Sequence, residues 1–351
     1  MADPTDVHRN LYDDLAFHPY DPSPDLPPEG AKNLFPVHRE EPIPTMDKPV
    51  IIEAACPGWQ PAGAHYPAIP TSPEAVSNEL IESVEAGAAA IHVHPRDENG
   101  VPQIYGEEAE DLFVETVDPV FDACGAVMTL QHTWSGGSRD NYHIDYVTGA
   151  NKLLERGDGN KYCQGALILP PKNGGRVGRH SLDSVREGVR FYQENNITPI
   201  YQCYDSHVAY TLKKHLFETG DVDPDAGPHI MNVNCGKHDS HAVQHNPWSF
   251  LQIIAAKHNV EETFDDAIVN IYPGGRNWLA VYTMGLLLGG VVFRIGVEDA
   301  YWQYPHRDEL IEKNSDAISL AVDIAENLGR RVITDPDEAR EYLGISYTSP
   351  R

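Results

Sequence analysis

The sequence predicts a (β/α)8 TIM barrel with an extended N-terminal arm and a C-terminal helical tail. Eight short apolar runs, helical patterns after most of them, and the absence of a G-x-G-x-x-G fingerprint after the first run carry that prediction; A-C-P-G-W-Q stands there instead. Near-continuous apolar strands interleaved with helices describe a parallel sheet buried on both faces, and a count of eight favours closure over an open doubly wound sheet.

Residues 1–47, centred on H-P-Y-D-P-S-P-D-L-P-P-E-G, are too rich in Pro, Asp and Glu to bury a core. They read as an extended arm, either a disordered tail or a strap around a neighbouring subunit. The barrel domain and its tail take residues 48–351. The candidate strands are 49–56, 89–94, 126–131, 165–170, 199–205, 229–234, 267–272 and 290–296. Helices are expected over 73–86, 182–195, 247–258, 278–288 and 310–328, where apolar residues recur at helical spacing. Thr71 or Ser72 can cap the first, because a side-chain oxygen there accepts from a free N–H of the first turn, and Gly87 can end it.

With 351 residues, 41% of them hydrophobic, the chain can bury one large core or two modest ones. Its net charge of −27 argues against a nucleic-acid partner, since binding phosphates depends on Lys and Arg displacing counterions. Cys56, Cys124, Cys163, Cys203 and Cys235 are odd in number and scattered, without a C-x-x-C, so no disulfide framework is expected. The start M-A-D-P-T-D-V-H-R-N has no signal-peptide pattern, and no apolar run reaches the ~18 residues of a membrane span. The expected location is the cytoplasm, with no membrane partner.

The stretch I-H-V-H-P-R-D, residues 91–97, places His92 and His94 two apart in a strand. Their side chains leave one face about 6.6 Å apart at the backbone, near enough to converge on one ion. The bland reading is a pair of hydrogen-bonded histidines on a strand edge; the C-terminal end of a barrel strand favours the metal. A second stretch, F-R-I-G-V-E-D at 293–299, ends the last strand with Arg294, Glu298 and Asp299. Glu298 can complete a metal site while Asp299 moves a proton, Arg294 and the ion offsetting the repulsion between the carboxylates. The competing reading is an N-cap carboxylate for a helix near Tyr301.

Weaker signals accompany these. His238, His241 and His245 share one long polar loop and read as a surface or lid segment. Glycine-rich turns at 134–138, 171–176 and 272–277 follow strands and could offer N–H groups to a carboxylate or phosphate, although such glycines usually serve the turn itself.

A-G-A-A-A-I-H-V-H-P-R-D, then P-G-G-R-N-W, then G-L-L-L-G-G-V-V-F-R-I-G-V-E-D resemble the beta-keto acid cleavage enzymes in order and spacing, from about residue 49 to 345. The resemblance implies a zinc-dependent barrel, assembled as a homotetramer, that condenses a β-keto acid with acetyl-CoA and releases acetoacetate and a new acyl-CoA. It implies that His92, His94 and Glu298 ligate Zn²⁺, or another divalent metal, and that Asp299, paired with Arg294, is the base. It implies further that Thr133, Ser135, Gly136 and Gly137 lie where the substrate carboxylate binds.

This chain departs from the family pattern at three places. Gln202 replaces a Glu that supports the base, and a neutral amide orients a partner without shifting its pKa by charge. Gln60 stands where members acting on amino-substituted keto acids carry Glu, which favours a neutral polar substrate over a cationic one. His132 and Trp134 replace smaller residues, which implies a narrower pocket. Two alternatives therefore stand beside the leading reading: a metal-dependent carbon–carbon lyase or hydrolase that does not use coenzyme A, and a non-enzymatic metal-binding or ligand-sensing protein.

Overall fold

The computed structural model describes residues 44–58, 69–94, 96–97, 99–100, 106–130, 164–168, 182–203, 207–223, 228–235 and 250–345. The chain divides into two units, Met1–Pro44 and Thr45–Arg351, and every described residue but Pro44 belongs to the second. The expected arm lies, up to residue 43, outside the described residues.

The second unit is a closed parallel barrel. Its strands are β1 (Val50–Ala55), β2 (Ala90–His92), β3 (Val127–Leu130), β4 (Gln164–Ile168), β5 (Thr198–Cys203), β6 (His229–Cys235), β7 (Ala267–Pro273) and β8 (Val292–Ile295). Each pairs in parallel with the next. Closure comes from β1, which has β8 on one side and β2 on the other, with Glu53 opposite Arg294 and Ala55 opposite His92. All eight lie where the apolar runs place them.

Helices cover the outside: α1 (Pro73–Glu85), α2 (Gly106–Cys124), α3 (Leu182–Glu194), α4 (Val208–Leu212, continued by a π-helical turn Lys213–Phe217), α5 (Phe250–Thr263), α6 (Trp278–Leu287) and α7 (Asn314–Asn327). Ser72 caps α1, accepting from Ala75 N–H at 3.2 Å, and Gly87 follows its end at a φ of +115°. Two helices were not legible as patterns. An acidic opening turn and an internal Pro119 conceal α2, and α4 is too short for periodicity to register. The helix expected from 310 begins instead at Asn314. Trp302 and Leu310 form an antiparallel bridge, and Ile311 N–H donates to Tyr301 O at 2.8 Å, which commits the preceding backbone to a loop.

Period-2 alternation sorts each strand's side chains onto two faces. The outward set, including Ile52, Ile91, Tyr201, Met231, Ile271 and Phe293, packs against the helices through Val76, Leu80, Val189, Ile253 and Ile318. The inward set changes character along the axis. At the N-terminal end Ile51, Ala90, Ile200, Ile230, Ile268 and Val292 form a separate apolar floor. Two residues further along the same faces stand Glu53, His92, Gln202, Asn232, Asn270 and Arg294, all buried. The barrel thus has an aliphatic floor and a polar mouth.

The tail seals the floor from below. β9 (Val332–Ile333) pairs with Val50 and Ile51 at the start of β1, and α8 (Pro336–Tyr342) brings Ala339 and the following Leu343 into the floor cluster. Asp335 caps α8 by accepting from Asp337 N–H at 2.7 Å. Arg340, 1% exposed, donates to the carbonyls of Gly125 at 2.6 Å and Ala126 at 3.0 Å beneath β3. Replacing it by Met keeps the stem but leaves those carbonyls unmet, so Arg340→Met is expected to cost about 1–3 kcal/mol in urea denaturation. An unchanged midpoint would contradict this role for the guanidinium.

Candidate active site

The polar mouth gathers its chemistry from the strands flanking β1. His92 ends β2, and His94, two residues on, leaves by the same face. Beyond β1 the chain continues alongside them: Cys56 N–H donates to His92 O and His94 N–H to Pro57 O, each at 3.2 Å. That continuation presses Gly58 against Glu298, where a Cβ would lie 2.0 Å from Glu298 Cγ, so no larger residue fits. Arg96, buried, holds the segment by donating to the carbonyls of Gly58 and Gly100.

From the other side, the chain leaving β8 turns over the end of β1. Gly296, at a φ of +150°, passes so close that a Cβ would sit 2.3 Å from Ala55 O. Glu298 N–H then donates to that same carbonyl at 3.2 Å. The turn delivers the Glu298 carboxylate to the histidines: Oε2 lies 2.8 Å from His92 Nε2 and Oε1 lies 3.6 Å from His94 Nε2. One ligand atom from each of the three residues lies within 4.8 Å of the others, and all three side chains are buried.

These residues fit a divalent cation. The His92 contact, although short, is not aligned as a hydrogen bond, so both ring nitrogens of this fully buried imidazole lack a hydrogen-bond partner among the described residues. An unpartnered buried nitrogen costs free energy that a metal ion would return. Burial also holds His92 well below its ordinary pKa, against the opposing pull of Glu298, and so keeps it neutral as a ligand must be. Two imidazoles and a carboxylate suit zinc with a position left open, and suit Fe, Mn or Co as well.

Next to this set Arg294, fully buried, grips Asp299 with two parallel bonds, Nε to Oδ2 at 2.7 Å and an Nη to Oδ1 at 2.8 Å. The second Nη bond, 3.1 Å to Glu298 Oε1, ties both carboxylates to one guanidinium. Burial by itself would lower the pKa of Arg294; Asp299 and Glu298 outweigh it and hold the group firmly charged. The ring of Tyr272 lies under the guanidinium, 4.1 Å from its carbon to the ring centroid.

The five residues His92, His94, Arg294, Glu298 and Asp299 therefore share one mouth. Gln202 lies buried on β5, and among the described residues its hydrogen-bonding neighbours are on β6 and β7. Its Oε1 accepts from Asn234 Nδ2 at 2.9 Å, and its amide neighbours the Tyr272 hydroxyl, which also accepts from Asn232. The Tyr272 ring thus links it to the Arg294 guanidinium. Gln60, Thr133, Ser135, Gly136 and Gly137 lie outside the described residues, as do His132, Trp134 and the loop of His238, His241 and His245. In the 272–277 turn, Gly274 N–H donates to Cys235 O at 3.0 Å and Gly275 N–H to Asp299 O at 2.7 Å. Both N–H groups are therefore taken and do not form an anion cradle: they brace the site. The other two glycine-rich turns fall outside the described residues.

Sequence reasoning missed Gly58, Tyr272, Asn232 and Asn234. For the last three a signal existed: N-V-N in β6 and N-I-Y in β7 repeat polar groups at the inward period. Gly58 carried none, because its need for a hydrogen side chain arises from Glu298, far along the chain.

Comparison with known proteins places the chain in a family. A protein from Acetoanaerobium sticklandii named 3-keto-5-aminohexanoate cleavage enzyme is 24% identical over 303 residues, covering 86% of this chain and 100% of that protein. A Rhizobium meliloti protein named 3-dehydrocarnitine:acetyl-CoA trimethylamine transferase is 24% identical over 318 residues, covering 86% of this chain and 98% of that protein. The solved binary complex of ObcA with oxaloacetate shares the fold, with a TM-score of 0.62 at 17% identity over 80% of this chain and 68% of that one. The family model for beta-keto acid cleavage enzymes matches residues 49–345, which run from the first strand of the barrel through the tail that seals its floor. With both signature stretches inside that match, the chain belongs to the beta-keto acid cleavage enzyme family.

Proposed function

We propose that this enzyme cleaves a β-keto acid with acetyl-CoA in a divalent-metal-dependent reaction, zinc being the expected ion, and gives acetoacetate and a new acyl-CoA. The observation that carries the reading is the pairing at one mouth of a three-ligand set, His92, His94 and Glu298, with the Asp299 carboxylate held by Arg294. The Rhizobium meliloti relative, whose name includes acetyl-CoA, supports the co-substrate.

A bound divalent ion would supply Lewis-acid polarisation of the substrate's keto and carboxylate oxygens, which acidifies the carbon between them. Asp299 is the group placed to take that proton. Both of its oxygens accept hydrogen bonds from Arg294, which fixes its direction, so it meets the carbon without reorienting. Arg294 in turn cannot swing away, being held between two carboxylates and the Tyr272 face. The resulting enolate carbon attacks the acetyl thioester and releases coenzyme A thiolate; the thiolate then takes the original acyl group as the carbon–carbon bond breaks, and the proton held by Asp299 returns to the carbon left behind, giving acetoacetate and the unprotonated base. Two carboxylates against one guanidinium leave excess negative charge at the mouth, a further reason for a cation there. A neutral polar substituent on the substrate follows from Gln60, and a homotetramer from the family resemblance.

Two outcomes test this. The purified enzyme is expected to carry about one divalent ion per chain by elemental analysis, and to lose and regain acetoacetate formation as that ion is chelated and restored. Activity indifferent to the chelator would sink the metal's role. Asp299→Asn is expected to lower kcat by roughly 10²–10⁴-fold, the span of a lost general base, while the ion content stays as in the wild type. An Asn variant of near-normal turnover would assign the proton transfer elsewhere.

A further inference from the structure

We infer that Asn314, on a helix outside the barrel, is a positioning residue for both site carboxylates: its carboxamide holds the 296–299 turn at the register that aims Glu298 and Asp299 into the mouth. This rests on the reading of that mouth given above.

Asn314 is the first residue of α7 and is 1% exposed. Its Oδ1 accepts from Val297 N–H at 3.0 Å, one residue before Glu298. Its Nδ2 donates to Ser83 Oγ on α1 at 3.0 Å. Ser83 Oγ donates its own proton to Glu79 O at 2.7 Å, so it can only accept from Asn314. That chain of donors fixes the amide's orientation and leaves Oδ1 for Val297. The backbone N–H of Asn314 donates to the Glu79 carboxylate, which stands at the start of α7 in place of a side-chain cap. Beside it Lys313 pairs with Glu82 at 2.8 Å. Asn314 is thus pinned to α1 from two directions and hands that rigidity to the turn.

The turn depends on it. Besides Asn314, its backbone is anchored by Glu298 N–H on Ala55 O at 3.2 Å and by Gly275 N–H on Asp299 O at 2.7 Å. Those two contacts sit at Glu298 and Asp299 themselves, and the turn closes on itself through Asp299 N–H and Ala300 N–H on Gly296 O at 3.1 and 3.0 Å; Asn314 holds the approach from outside, at the point where a Cβ on Gly296 would come within 2.5 Å of its Oδ1. Without the carboxamide, Val297 N–H is buried and unmet, and the turn relieves that cost by shifting toward another acceptor. A shift of the backbone at Val297 swings Glu298 away from the histidines. Asp keeps the acceptor and loses the donor, Ala loses both, and Gln carries the same amide one methylene out of place.

Titration of the metal-free full chain with Co²⁺, read by its d–d absorption, tests the inference on Asn314→Ala, Asn314→Asp and Ser83→Ala. Asn314→Ala is expected to weaken Co²⁺ binding by about 10–100-fold, the range for a group that orients a ligand, and to alter the band. Asn314→Asp, which keeps the bond to Val297, and Ser83→Ala, which removes one of the two links to α1 and leaves the backbone bond to Glu79, are expected to bind close to wild type. If Asn314→Ala does not fold, Asn314→Gln, which displaces the same amide by a methylene, takes its place with the same expected loss. Wild-type affinity in that variant overturns the inference, as does a parallel loss in Ser83→Ala and Asn314→Ala, which would mean simple packing of α1 on α7. Should the wild type itself take no Co²⁺, the metal reading fails and amide exchange across 296–300 decides. Faster exchange there in Asn314→Ala than in Ser83→Ala sustains the positioning role; equal exchange overturns it.

Discussion

Arg294 is a full positive charge with no exposure to water, and the rest of the mouth is organised around that fact. A buried guanidinium is tolerable only when its donors are met in good geometry, because the Coulomb attraction must offset a large loss of hydration. Asp299 meets two of those donors and Glu298 shares one of them, while Tyr272 lends its ring face. Both carboxylates belong to the four residues after β8, so the charge on the strand dictates the shape of the turn. Gly296 and Gly58 are glycines because the turn and the segment after β1 have no room for anything else.

The same economy runs through the barrel. In β1, β2, β5, β6, β7 and β8 the inward positions run first through aliphatic residues and then through polar ones, so one period-2 pattern builds both the floor and the mouth. Helices and floor contribute most of the apolar burial, which lets the mouth carry groups that destabilise the fold locally. The unpartnered nitrogens of His92 are the clearest instance. Functional mouths on such barrels sit at the C-terminal ends of the strands, and Arg294, Glu298 and Asp299 obey that rule with the two histidines.

Much of this was legible before any coordinates. The eight strands stood where the apolar runs placed them, since a strand buried on both faces cannot hide its composition. His92 and His94 were legible because two residues is one period of a strand, and Glu298 and Asp299 because they close the last one. Gln202 was legible as a departure from the family pattern, but its partners were not: contact with Tyr272 and Asn234 depends on three strands meeting in register. The start of α7 was misplaced because hydrophobic spacing alone does not register the bridge between Trp302 and Leu310.

By itself, then, the sequence determined the barrel class, its strands and the residue types at the mouth. Periodicity and strand order are local properties, and they survive without a third dimension. Only the tertiary structure decided what each residue touches: that Gly58 yields space to Glu298, that one guanidinium holds both carboxylates, and that Asn314 on an outer helix reaches the turn beneath them. Those relations join positions 17 to 240 residues apart or turn on side-chain direction, and closure of the sheet is what brings them within 3 Å or so of each other.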